Sequence, residues 1–267
     1  MPGRPPAGPH AARGRCLVTG RRGLLVAIEG PGGVGKSTVT ALVVRRLSTE
    51  GVPVLATREP TDTTLGSLAR HGTDDYRGEA LACLIAADRF QHGEVIGPAL
   101  ERGQTVVCDR YIASSLALQC MDGVDREFVW LLNEKVIQPD LTVVVSGRPD
   151  VIEARLTARG AHSRYERAED STRVECAYFA EAAKFLRSKG HRLLDVDASH
   201  VPADEIARMI VAAVTRLRKD QPHHDAGRAH VQPEQPVPGT RGETAPLPGG
   251  PTGGGARADG DGAQRGM

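Results

Sequence analysis

Three features of this 267-residue sequence predict an α/β fold, a five-stranded parallel sheet covered by helices. Short apolar, β-branched runs alternate with longer segments whose apolar residues recur at helical spacing, the pattern of strand–crossover–strand units. A glycine-rich stretch, Gly30-Pro31-Gly32-Gly33-Val34-Gly35-Lys36-Ser37, stands where the first such run gives way to the first helical segment. The composition is 40% hydrophobic, enough over this length to bury the core of one large domain.

The elements follow in order. Strands are expected at residues 24–28, 53–57, 105–108, 141–145 and 193–196, where Leu, Ile, Val and Thr gather. Helical spacing covers 36–49, 78–101, 114–138, 150–158 and 172–189, and a last helix runs from 203 to about 216. The third of these should break at Asp122-Gly123, and the crossovers should be right-handed. The sequence holds no internal repeat. From 221 to 267 there are 11 Gly and 7 Pro with almost no large apolar side chain, so this segment cannot offset its ordering entropy. Residues 1–22 hold four prolines, five arginines and no acid. The expected organisation is a disordered extension over 1–22, one folded domain over 23–219 and a disordered tail over 220–267.

Lys and Arg number 34 against 33 Asp and Glu, a net charge of +1, so no global field favours nucleic acid. The five cysteines, Cys16, Cys83, Cys108, Cys120 and Cys176, form no CxxC pair and no Cys/His cluster at metal-ligand spacing. Apolar runs stay far below the ~18 residues of a membrane span, and the N-terminus lacks an apolar signal core. The expectation is a cytoplasmic protein without membrane or nucleic-acid partners.

The glycine-rich stretch fits GxxxxGK[ST] in the strand-to-helix setting that makes it a phosphate cradle. Glycines let backbone N–H groups converge on phosphate oxygens, the helix N-terminus adds partial positive charge, Lys36 reaches the outer phosphates and the Ser37 hydroxyl can ligate Mg²⁺. Gly30, Pro31, Gly32, Gly33, Val34, Gly35, Lys36, Ser37 and Thr38 are therefore the expected nucleotide-phosphate-binding residues, the ATP site of a kinase. A cradle alone does not separate switches, motors, kinases and ATPases. A GTPase switch is disfavoured because no NKxD-type motif follows the fourth strand.

Further blocks resemble the thymidylate kinase family over roughly residues 24–216. They are Ile28-Glu29-Gly30, Thr57-Arg58-Glu59-Pro60, Ala87-Asp88-Arg89 with Gln91-His92, Asp109-Arg110-Tyr111 with Ser114-Ser115, and Pro139-Asp140-Leu141. The resemblance implies a P-loop NTPase fold, transfer of the γ-phosphoryl group of ATP to a nucleoside monophosphate, most simply dTMP, and a homodimer. Chemistry supports the pattern, since phosphoryl transfer needs cations converging beyond the carboxyl ends of the strands, where Lys36, Arg58 and Arg110 fall. By resemblance, Arg110 grips the acceptor's phosphate, Asp109 acts near Mg²⁺ and the reacting oxygens, Arg58 and Glu59 border the acceptor site, and Arg89 faces the acceptor's base. Asp197-Ala198 matches the place of the family's adenine pocket. Arg155, Arg159, Arg164, Arg167 and Arg173 surround Gly160 in what reads as an arginine-rich lid that excludes water. Some family members carry an arginine where Gly33 stands, so the catalytic arginine here is expected from the lid, with Arg164 first and Arg159 second.

The sequence departs from the family on the acceptor side. Gly32 replaces a loop aspartate directed at the acceptor sugar, Ile85 an aromatic that stacks on thymine, and Leu118 a tyrosine near the 2′ carbon. Ser163 replaces an acidic lid residue, and Thr61-Asp62 a glycine pair. Two alternatives to a dTMP kinase stay open on these residues: a kinase for a different or modified pyrimidine nucleotide, and an ATP-binding regulatory protein without transfer activity.

Overall fold

In the computed structural model, the described residues are 21–73, 75–160, 164–167 and 170–221, with the side chains of Arg164 and Arg167 not among them. The two extensions expected at the chain ends lie outside this set except for Arg21, Arg22, Asp220 and Gln221. Arg21 donates to the carbonyl of Arg218 at 2.8 Å, and Arg22 pairs with Asp140 at 3.2 Å.

Five strands form one parallel sheet: β1 (Leu25–Glu29), β2 (Val54–Arg58), β3 (Thr105–Asp109), β4 (Leu141–Ser146) and β5 (Leu193–Asp197), in the order β2-β3-β1-β4-β5. Among them run α1 (Lys36–Thr49), α2 (Thr64–His71), α3 (Gly78–Glu101), α4 (Ile112–Met121), α5 (Arg126–Asn133), α6 (Pro149–Arg159), α7 (Arg164–Arg167), α8 (Ser171–Ser188) and α9 (Ala203–Asp220). All five strands lie where the apolar runs predict them, each ending at least one residue later than expected. That extension matters, because it makes Glu29, Arg58 and Asp109 strand-end residues, with Asp109 in register with both Ile28 and Arg58.

The inner strand β1 is buried on both faces and its side chains alternate between two cores. Val26 and Ile28 pack with Val39, Val43 and Leu47 of α1 and with Ile206, Ile210 and Val214 of α9. Leu25 and Ala27 pack on the other side with Ile96 and Leu100 of α3, Leu116 of α4, and Phe179 and Leu186 of α8. The Pro139-Asp140-Leu141 block ties the sheet together, since the Asp140 carboxylate accepts the Leu25 N–H at 2.7 Å. The break expected at Asp122-Gly123 is present: α4 stops, Gly123 turns the chain at φ 84°, and Asp125 caps α5 by accepting the Phe128 N–H at 2.9 Å. Helix α2 is an addition that the periodicity does not predict. It starts at Thr63, whose hydroxyl accepts the Gly66 N–H at 3.2 Å. The chain moves from β1 toward β2 on one side and from β3 past β1 to β4 on the other, so the cleft beyond their carboxyl ends lies at the switch point of the sheet.

Candidate active site

A cleft of about 890 Å³ opens at these strand ends. Its floor is the loop from Gly30 to Gly35. Gly30, Gly33 and Gly35 take φ values of 143°, 75° and 107°, backbone that side-chain-bearing residues rarely adopt, and this curls the loop around an anion-sized space. Lys36 is 6% exposed and donates to the carbonyl of Pro31 at 2.7 Å. Burial, joined by the positive charge of Arg110, pushes its pKa down to about 7, against the pull of Asp109, Glu175 and Glu29. The Ser37 hydroxyl donates to the Asp109 carboxylate at 2.6 Å, so the hydroxyl and carboxylate oxygens expected around a metal ion stand side by side.

Arg110 is aimed by an unusual backbone. Its φ is 71°, left-handed for a residue with a side chain, while its N–H stays on the Ile28 carbonyl at 3.0 Å. Such geometry costs of order 1–3 kcal/mol and persists where the surroundings enforce it. Here Glu29 does so from below: its fully buried carboxylate accepts the N–H groups of Tyr111, Ala113 and Ser114 and the Ser114 hydroxyl, fixing the start of α4. Burial raises the Glu29 pKa, and the Ser114 hydrogen bond with the charges of Arg110 and Arg89 opposes the rise.

The cleft has two ends. Ala198, Val201, Ala203 and Ile206 form one apolar end, and Arg155 closes it by donating to the carbonyls of Val34 at 3.1 Å and Ala198 at 3.0 Å. Arg155 is therefore a tie between the loop and the β5 end rather than a free lid cation. The other end is walled by Arg58, Glu59, Arg70, Leu81, Ile85, Leu118 and Gln119, with Arg110 between the two ends. Arg58 is half exposed and pairs with Asp62 at 2.6 Å. The lid side carries Arg159, paired with Glu166 at 2.9 Å, and Tyr165, whose hydroxyl donates to Asp122 at 2.8 Å. Arg164 opens α7, but its side chain lies outside the described residues, so its placement in the cleft stays an expectation.

One expected role does not match the geometry. Arg89 is 2% exposed and absent from the cleft wall. Its Nε donates to Glu59 at 2.7 Å, Nη1 to Asn133, and Nη2 to the Tyr111 carbonyl and the Ser115 hydroxyl at 3.0 Å each. It stands one helical turn beyond Ile85 on α3 and, with the buried His92, holds the two carboxylate oxygens of Glu59, a residue of the cleft wall, rather than presenting its guanidinium to a ligand. Two residues the sequence reading passes over do reach the acceptor end. Arg70, on the unexpected α2, binds the Pro60 carbonyl and approaches Asp62 to 3.8 Å. Gln119 is 1% exposed, lines the cleft, and has neither its amide nitrogen nor its amide oxygen partnered among the described residues. A buried amide left this way is costly unless a ligand completes it.

A sequence model of the thymidylate kinase family matches residues 28–209. The chain belongs to the thymidylate kinase family. Relatives include a thymidylate kinase of Leifsonia xyli, 41% identical over 206 residues that span 73% of this chain and 95% of that protein. A probable thymidylate kinase of Pyrobaculum aerophilum is 38% identical over 198 residues, spanning 72% and 96%. One of Pyrococcus abyssi is 36% identical over 205 residues, spanning 72% and 96%. The match covers the β1 end, the glycine loop, both cleft ends and the start of α9, so the family's P-loop NTPase fold is the fold seen here.

Proposed function

We propose that the chain is an ATP-dependent nucleoside monophosphate kinase that transfers the γ-phosphoryl group of ATP to dTMP, giving dTDP. The observation that carries this reading is that one continuous cleft is lined by the glycine loop with Lys36, by Arg110 and by the wall that includes Ile85, Leu118 and Gln119, whose amide is unpartnered among the described residues. The adenine end is the apolar wall at Ala198 and Val201, and the triphosphate follows the loop from Gly35 to Gly32. At the other end Arg110, Arg58 and Arg70 supply cations for the acceptor's phosphate. The Gln119 carboxamide can both donate to a carbonyl and accept an N–H, the pair that the edge of a thymine ring offers.

Ser37 and Asp109 fit Mg²⁺, since a hydroxyl and a carboxylate in contact are hard oxygen donors at the outer end of the loop. When bound there, the ion neutralises phosphate charge; the chain's own residues do the positioning. Lys36 stabilises the charge on the transferring group, Arg110 holds the acceptor in line, and Arg159 with Arg164 brings positive charge from the lid while Tyr165 helps close the cleft. The kinase is read as a cytoplasmic homodimer, supported by family membership and by the exposed apolar side chains of Phe90 and Val95 on α3 and Leu131 on α5. No described helix is long and apolar enough to cross a membrane.

A second reading, a different or modified pyrimidine monophosphate as acceptor, rests on the wall around the base. Leu81, Ile85 and Leu118 are aliphatic, and Tyr165 is the single aromatic among the described residues that line the cleft. Incubation with γ-labelled ATP and dTMP tests the main reading: label should appear in dTDP, and ATP hydrolysis without dTDP would overturn it.

A further inference from the structure

Glu175, on the second turn of α8, is 3% exposed, and its carboxylate accepts the Gly32 N–H at 3.0 Å. An N–H of the phosphate loop is thus engaged by an anion that belongs to the protein. Gly32 makes room for this. A Cβ at that position would come within 2.9 Å of the Glu166 carboxyl carbon, so the absence of a side chain lets the Glu166 carboxylate of α7 approach the loop beside the Glu175 carboxylate bound to its N–H. Among the described residues, the charged groups that act on Glu175 are Lys36 from α1 and Arg110 from the β3 end, which attract it, and Glu166 from α7, which repels it. Burial raises its pKa against the pull of those cations and the Gly32 amide. Gly32 lies against Glu166 and Glu175, and Glu175 interacts with Arg110 and Lys36; in the proposed function this is where a donor's terminal phosphate meets the acceptor.

We propose that Glu175 is an internal occupant of the phosphate cradle, holding the Gly32 amide when the donor is absent and giving it up to the terminal phosphate of a triphosphate. The inference rests on the reading of this loop as the ATP site. Two anions cannot share one amide and the same pair of cations without strong repulsion, so the triphosphate binds only by moving the carboxylate aside. A diphosphate ends short of Gly32 and leaves Glu175 in place. Glu175 therefore determines how the site discriminates between the triphosphate donor and the diphosphate product: it weakens the donor and, once the terminal phosphoryl group has been transferred, reclaims the loop.

The test is calorimetric titration of the full-length protein with a non-hydrolysable ATP analogue and with ADP, both with Mg²⁺, comparing wild type, Glu175→Gln and Glu175→Asp. Glutamine keeps an acceptor for the Gly32 N–H but has no charge to set against phosphate; aspartate keeps the charge but falls one methylene short of the amide. Glu175→Gln should bind the analogue about ten-fold more tightly, the scale of a hydrogen bond to a charged group, with ADP changing far less. Glu175→Asp should move in the same direction by a smaller factor, and it reads the proposal if the glutamine variant does not fold. Unchanged or weaker analogue binding in folded variants overturns the proposal, as does an equal gain for both nucleotides, which would mark a general charge effect. Wild-type protein that fails to bind the analogue would overturn the donor-site reading as well.

Discussion

The two ends of the cleft are built by different means. At the end proposed for the donor, the site is one contiguous stretch, Gly30 to Thr38, whose left-handed glycines curl its backbone around an anion-sized space. At the acceptor end, Arg58 comes from β2, Arg70 from α2, Ile85 from α3 and Gln119 from α4, and the site exists only where their side chains meet. Backbone chemistry demands a fixed local sequence, whereas a side-chain pocket can be rebuilt one element at a time. The donor loop here keeps every fixed position of GxxxxGK[ST]; the departures from the family fall at Gly32, the loop position directed at the acceptor, and at Ile85 and Leu118 in the acceptor wall.

The sharpest way to break this contrast is at Lys36. Replacing it with alanine should lower turnover at least ~100-fold while the melting temperature stays close to wild type, because one preorganised charge is lost at the transferring group. Folded Lys36→Ala with near-normal turnover would contradict the assignment of the donor end. On the acceptor side, Gln119→Leu removes both unpartnered amide atoms and should raise the KM for dTMP by about ten-fold or more, while leaving the KM for ATP unchanged. An equal rise for ATP would show that Gln119 supports the cleft as a whole. Adding an aromatic by Ile85→Phe should lower the KM for dTMP by at least about five-fold, the lower end of ~1–3 kcal/mol per stacked base. No change would mean that the base does not pass over residue 85.

The smallest expected effect is one of pH. The folded, unliganded pKa of Lys36 is depressed to about 7, so the charged form that binds phosphate is lost as pH rises through that value. A bound triphosphate favours the ammonium and raises the pKa again, so donor binding takes up a proton above pH 7 and its affinity falls there. Calorimetry in buffers of different ionisation heat measures that uptake. Lys36→Arg, which stays charged throughout, should abolish it.

How far the sequence revealed this molecule follows the same division. The inner strands β1, β3 and β4 stand out because their apolar, β-branched runs are buried, β2 and β5 by short apolar runs at the sheet edges, and their late ends became visible only through pairing, as with Asp109 against Arg58. Helix α2 is only eight residues long, with one Thr, one Gly and one Ser in its first half; the Thr63 cap ahead of Leu65 and Ala69 was its readable signal. Gln119 escaped notice because a glutamine on an apolar helix reads as a solvent-facing residue, and only burial without a partner marks it. Arg89 looked like a ligand-reading cation because a sequence does not show that Glu59, Asn133, Ser115 and the Tyr111 carbonyl, up to 44 residues away, take four of its five N–H donors. Motif spacing locates a cation; whether its donors are free depends on the packing around it.

The central claim is that an intact donor end serves an acceptor end that still selects thymidylate through Gln119 and the arginines. It is tested most directly by kcat/KM for dTMP, dUMP, dCMP and dGMP with ATP and Mg²⁺ at constant pH. The account predicts that dTMP gives the highest value, with dUMP next and the margin between them narrow, since both present the same ring edge to Gln119 and neither finds an aromatic at residue 85. Rapid turnover of dCMP or dGMP with little or none of dTMP would contradict it.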